Sequence, residues 1–181
     1  VSIYVFGVIF LAGFVQTVTG FGFALVAAPL LSLVLQPRDA VIVVLFVGML
    51  TKAFGVYKTW DEGAFSRVRL LFAASLAGVV PGAFILRVAE DTTLKLIIGT
   101  ALLLATLAMT VSCTVPIRRH GAAQILSGFL SGLMGATTSL NGPPIVLYMM
   151  NEGVEKTVMR ANLARYFLLG NAGTLFISFF F

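Results

Sequence analysis

The chain has 181 residues, 59% of them hydrophobic and only 10% charged, with a mean hydropathy of +1.04. Soluble domains are about a quarter charged, and a core built from a chain this short cannot hide so much apolar surface, so an ordinary water-soluble globule is excluded and part of the solvent must be lipid. The formal net charge of +5 comes from cations lying between apolar runs, with no basic cluster interleaved with exposed aromatics. These cations read as topology signals on loops, and nucleic acid is excluded as a partner.

A single membrane crossing takes about 20 apolar residues. The first run, Ser2 to Leu35, contains no charge at all. As one helix its 34 residues would measure about 51 Å against a hydrocarbon core of about 30 Å. It is also too long, and too polar in its middle, for a signal peptide. The interruption at Thr19-Gly20-Phe21-Gly22 predicts two half-helices joined by unwound backbone.

The next three runs, Ala40 to Tyr57, Val68 to Leu86 and Leu94 to Ile117, each fit one crossing. Lys52 lies near the end of the first of them, where its long stem could snorkel to the interface. The fifth run, Ala122 to Met150, is again too long: its 29 residues would reach about 43 Å as one helix. It breaks between Ala136 and Pro144, which predicts a second half-helix pair. A last run starts near Asn162 and continues to Phe181. The stretches between the runs, "QPRD", "KTWDEGAFSRVR", "RVAEDTTLK", "RRH" and "NEGVEKTVMR", hold nearly all the charge. The chain opens at Val1 rather than Met and closes inside an apolar run, so it is expected to be a piece of a longer protein.

The two over-long runs resemble each other. A shift of 115 puts Gly13-Phe14 on Gly128-Phe129, Gly20 on Gly135 and Pro29 on Pro144, which argues for an internal duplication. The last run matches the second, and nothing matches the third and fourth. The expected organisation is a first repeat over 1–117, a helix pair plus three crossings, and an incomplete second repeat over 118–181, a helix pair plus one. About two further crossings are expected beyond Phe181. Charge then chooses between crossing and re-entrant pairs. If each broken run crosses once, the twelve Lys and Arg divide evenly between the two faces. If both fold back as re-entrant hairpins, Arg38, Arg87 and Lys95 face the other nine, a conventional bias. The predicted fold is therefore all-α and polytopic, with inverted repeats that each open on a broken, re-entrant helix pair.

Inverted repeats with helices broken inside the membrane are a recurring transporter architecture. Unwound backbone exposes N–H and C=O groups that lipid cannot satisfy, so it belongs inside protein or along a cavity. Helix N-termini at a break favour anions. Gln16, Thr17, Thr19, Gly20 and Gly22 surround the first break, and Thr137, Thr138, Ser139, Asn141, Gly142 and Pro143 the second. Gln16, Thr17 and Thr19 are expected to face Thr138, Ser139 and Asn141 across a substrate, with amides near Gly20, Gly22 and Gly142 donating to it. Arg160 and Asn162, in "VMRANLARY", lie where the last run enters the membrane, and a guanidinium there can pair bidentately with an oxyanion. Arg165 reads as an interfacial anchor, and Gly13 and Gly128 as helix-packing residues.

All seven carboxylates fall in loops or at run ends, so no proton relay of the usual intramembrane kind is visible. The lone Cys113 sits in an apolar run as a packing residue. One cysteine and one histidine, His120, support neither a metal site nor a hydrolase, and no cofactor is expected. The substrate class is a small anion, driven by the membrane potential or by sodium. A non-transporting membrane scaffold and an anion channel are the alternative readings. Self-association into a homo-oligomer is left open.

"GFVQTVTGFGFALVAAPLL" and "GFLSGLMGATTSLNGPPIVLYM" resemble the two repeated motifs of the sulfite exporter TauE/SafE family of membrane permeases, and "MRANL" is similar to that family's arginine-containing segment. The resemblance implies a transporter of about seven to eight crossings that moves sulfite, organosulfonates or related small anions across a bacterial inner membrane. Thr137-Thr138-Ser139 stands where many members are richer in glycine.

Overall fold

Lipid offers the backbone no hydrogen-bond partner, so apolar runs of this length close their own backbone bonds as helices. The computed structural model describes residues 2–59, 65–110 and 120–180, and every regular element among them is a helix. In chain order these are α1 (Ser2–Thr19), α2 (Phe23–Leu31), α3 (Pro37–Lys58), α4 (Phe65–Val88), α5 (Asp91–Thr110), α6 (His120–Thr138), α7 (Gly142–Asn151) and α8 (Lys156–Phe180). Five of them, α1, α3, α4, α5 and α8, are long and apolar enough to cross a membrane. The molecule is an all-α polytopic membrane protein. Residues 111–117, which close the fourth predicted run and include Cys113, lie outside the described residues. The last helix starts six residues before Asn162, at Lys156. That places Arg160, Asn162 and Arg165 within the first three turns of the helix.

Both broken pairs fold back on themselves. The Tyr4 hydroxyl, near the start of α1, donates to the Leu30 carbonyl, near the end of α2, at 3.1 Å. In one continuous rod those residues would stand about 39 Å apart. In the second pair the Ser131 hydroxyl donates to the Asn141 carbonyl at 2.5 Å, and Ala123 from the start of α6 packs in one cluster with Tyr148 and Met149 from the end of α7. The arms are unequal, however, at 18 and 9 residues in the first hairpin and 19 and 10 in the second. At about 1.5 Å per residue each long arm covers most of a bilayer core.

Small residues set the tightest packing. Helices α4 and α6 run parallel, with Gly128 against the Leu71 carbonyl, Gly132 against Ser75, Gly78 against Phe129 and Gly82 against Leu133. A Cβ at Gly132 would lie 1.9 Å from the Ser75 carbonyl oxygen, and one at Gly78 would lie 2.0 Å from that of Phe129. Such backbone-to-backbone approach is open only to small residues, and without a hydrophobic drive between helices in lipid it is a main source of their association. The packing role expected of Gly128 is met, whereas a Cβ at Gly13 would have nothing within 4 Å. Helices α3 and α8 run antiparallel, with Gly48 beside Asn171 and Gly55 beside Ala164.

At one end of the molecule Val41, Leu45, Leu86 and Leu94 cluster, bringing together the start of α3, the end of α4 and the start of α5. Arg38 ties them by donating its Nε to the Leu86 carbonyl at 2.9 Å and a terminal nitrogen to that of Ala89 at 2.7 Å. A cation is favourable at such a helix C-terminus. At the opposite end Val68 and Leu71 of α4 pack with α7 and with Leu163, Tyr166 and Phe167 of α8.

Element boundaries recur at a constant spacing of 119: α1 ends at Thr19 and α6 at Thr138, α2 starts at Phe23 and α7 at Gly142, α3 starts at Pro37 and α8 at Lys156. The overlay by 115 therefore needs correcting by one helical turn. It put Gly20 on Gly135, which lies inside α6. The residue that shares the left-handed backbone of Gly20 (φ 86°) is Ser139 (φ 58°). Matching by residue type follows the glycines, whereas the backbone turn follows the helix ends.

Candidate functional site at the hairpin tips

Each tip is closed by a threonine doing the same two things. The Thr19 hydroxyl donates to the Val15 carbonyl at 2.9 Å and accepts from the Gly22 amide at 3.1 Å. The Thr138 hydroxyl donates to the Met134 carbonyl at 2.7 Å and accepts from the Leu140 amide at 3.3 Å. A hydroxyl bonded to the fourth carbonyl back tends to bend a helix, and one bonded forward stabilises the turn that follows. Thr17 and Thr137 likewise donate within their own helices, to Gly13 and Leu133 at 2.9 Å each. Immediately past each threonine the chain turns through the left-handed conformation. An L side chain there costs about 1–2 kcal/mol. Gly20→Ala is therefore expected to lower stability by about that amount, read as an earlier thermal unfolding transition in detergent.

The first tip is gripped by two cations. Lys52 of α3 donates its Nζ to the Gly20 carbonyl at 2.6 Å and lies 5.1 Å from the centroid of the Phe167 ring, a cation–π distance. Arg160 of α8 donates to the Val18 carbonyl at 2.8 Å and to that of Thr17 at 3.4 Å, capping the C-terminus of α1. The second tip is held by neutral groups: the Asn141 amide donates to the Asn171 side-chain carbonyl at 2.8 Å, and Asn171 donates to the Leu45 carbonyl at 3.3 Å. Lys52 and Asn171 stand at the same register of α3 and α8, again 119 apart. One repeat thus offers a charge where the other offers an amide.

Two cavities meet these groups. A vestibule of about 350 Å3 is lined by Gln16, Thr17, Gly20, Thr51, Lys52 and Arg160, among others. A chamber of about 20 Å3 between the two tips is lined by Gln16, Phe21, Lys52, Ser139, Asn141, Phe167 and Asn171, among others. Among the described residues, neither lining contains Asp or Glu. Of the predicted site residues, Gln16, Ser139 and Asn141 are brought together in the chamber, and Thr17, Gly20 and Arg160 in the vestibule. Gly142 packs where a Cβ would lie 3.5 Å from Phe21 and 3.6 Å from Phe167, which seats the start of α7 against the first tip. Gly22 is buried as the N-cap of α2, Thr137 and Thr138 are buried with their hydroxyls bonded as above, and Asn162 is fully buried on α8. The Thr19 hydroxyl is engaged in its own turn. The facing rows of hydroxyls expected from the sequence thus reduce to Gln16 opposite Ser139 and Asn141.

Sequence reasoning passed over Thr51 and Asn171, and read Lys52 as a cation near the end of its run whose stem could snorkel to the interface. A signal for Lys52 was present, since a cation inside an apolar run is a functional candidate in its own right. For Asn171 the signal lay in its 119-residue spacing from Lys52, visible only once the correct register is known.

The family model described as Sulfite exporter TauE/SafE matches residues 5–181. The chain belongs to the TauE/SafE family. This is a transporter family, and its membership joins the broken hairpins, the buried cation and the vestibule in one setting. Comparison with curated proteins gives no match, and neither does comparison with solved structures. In this TauE/SafE chain, then, the geometry of the tips is the guide to what the site binds.

Proposed function

We propose that the chain is a permease for small anions, with sulfite, organosulfonates and related sulfur oxyanions as its substrate class, working in a bacterial inner membrane. The observation that carries this reading is the vestibule at the first hairpin tip, lined by Lys52 and Arg160 and, among the described residues, by no carboxylate. Two cations and the amide of Gln16 suit an oxyanion, since charge-assisted bonds to such oxygens are the strong ones. The family description supplies the sulfur chemistry.

On this reading the two hairpins, each with the helix that follows it, form inverted repeats entering from opposite faces, and transport proceeds as one repeat rocks against the other. The re-entrant charge count assigns nine cations to the face near Arg160, which the positive-inside rule makes cytoplasmic. The vestibule would then load from inside. The membrane potential drives an anion outward from a negative interior by about 2.3 kcal/mol per charge at 100 mV, in keeping with export.

The test is flux in vesicles reconstituted with the full-length protein, using sulfite, sulfoacetate, taurine and sulfate. Saturable flux of a sulfur oxyanion, accelerated by the same anion on the far side, is the expected result. Ohmic current without saturation would make the protein a channel, and absence of both flux and saturable binding would make it a scaffold.

A further inference from the structure

Lys52 is a buried cation in need of an anion. It is only 6% exposed, its ammonium has three donors, and its hydrogen bond among the described residues is to a neutral carbonyl, that of Gly20. No Asp or Glu of the described residues lines either cavity it borders. Ionisable groups inside a membrane protein are rare and, where they occur, pair with one another or serve a substrate path. Beside it, the Gln16 Oε1 is buried without a hydrogen-bond partner among the described residues.

Gln16 and Lys52 are the two residues common to the vestibule and the chamber, so together they form the partition between them. The chamber, at about 20 Å3, has room for about one water molecule and none for a tetratomic oxyanion. Anything passing from the vestibule toward Ser139, Asn141 and Asn171 must therefore first move this partition.

We infer that Lys52 is the charge-selective gate of the pathway, resting on the permease reading: an oxyanion in the vestibule takes the ammonium from the Gly20 carbonyl. The exchange replaces a neutral acceptor with a full negative charge, and it frees the partition, with Gln16 turning its amide toward the substrate. Anions are selected because only a negative charge competes for the ammonium. The second repeat has the neutral Asn171 at this register, so the pathway offers one such gate, loaded from the vestibule side.

The test is sulfite binding to the purified full-length protein by calorimetry, alongside sulfite flux in vesicles. Lys52→Gln removes the charge and keeps an N–H donor, one bond shorter, directed at the Gly20 carbonyl, so the hairpin tip should stay folded. Sulfite binding is expected to weaken by at least about 30-fold, with an unfolding temperature close to that of the parent. Lys52→Arg, which retains the charge, should bind within about tenfold of the parent. Parent-like sulfite affinity in Lys52→Gln, or loss of binding in a folded Lys52→Arg, would overturn the gate while leaving the permease reading intact. Absence of saturable binding by the parent protein defeats both. Should Lys52→Gln fail to fold, the Lys52→Arg arm still decides.

Discussion

Gly132→Val is expected to prevent assembly of the helix bundle in membranes. A Cβ at this position would lie 1.9 Å from the Ser75 carbonyl oxygen and 2.7 Å from its carbon, which are backbone atoms that no rotamer change can move. Relief requires α4 and α6 to separate along their whole contact, including the equally tight approach of Gly78 to Phe129. Overpacking a core costs about 1–3 kcal/mol even where side chains can yield, and here they cannot. The sixth helix also forms the long arm of the second hairpin, so its displacement would unseat Asn141 from Asn171. The measurement is the monodisperse fraction after detergent extraction and the unfolding temperature of what remains. Gly99→Ala is the control: it lies on α5 with nothing within 4 Å of an added methyl group, and there alanine should be neutral or stabilise by up to about 1 kcal/mol through helix propensity.

Arg160→Ala is expected to raise the half-saturating sulfite concentration for flux by about fivefold. The guanidinium has two roles at the first tip. It satisfies the C-terminal carbonyls of α1 at Val18 and Thr17, and it borders the vestibule with Lys52. Removing it withdraws one of the two cations lining that vestibule and loosens the tip that holds the other. Arg160→Lys restores the charge without the planar fork that bridges two carbonyls while facing an anion, so partial recovery is the expected result. Parent-like flux in Arg160→Ala would remove this residue from the substrate path. Because the side chain is exposed, its effect should also shrink as ionic strength rises.

Much of this was legible in the residues. Long uncharged runs demanded lipid, and Gly20, Gly22 and the Ala136–Pro144 stretch demanded breaks, because intact helices of those lengths overrun a bilayer. The inward bonding of Thr17, Thr19, Thr137 and Thr138 was also within reach, since helical threonines commonly bond the fourth carbonyl back. The register of the two halves was not. Ser139 adopts the left-handed turn that glycine usually takes, so nothing in its identity marked it as the counterpart of Gly20, and the glycine landmarks drew the overlay one turn out of phase.

What the sequence determined by itself was the solvent, the helical class and the places where helices stop. These follow from local composition and from the backbone's need for partners in lipid. Only the tertiary structure decided which polar groups meet. The bonds that build the site join Lys52 to Gly20 across 32 residues, Asn141 to Asn171 across 30 and Arg160 to Val18 across 142. Pairings over such distances arise from how the glycine-lined helices pack, and no local pattern encodes them.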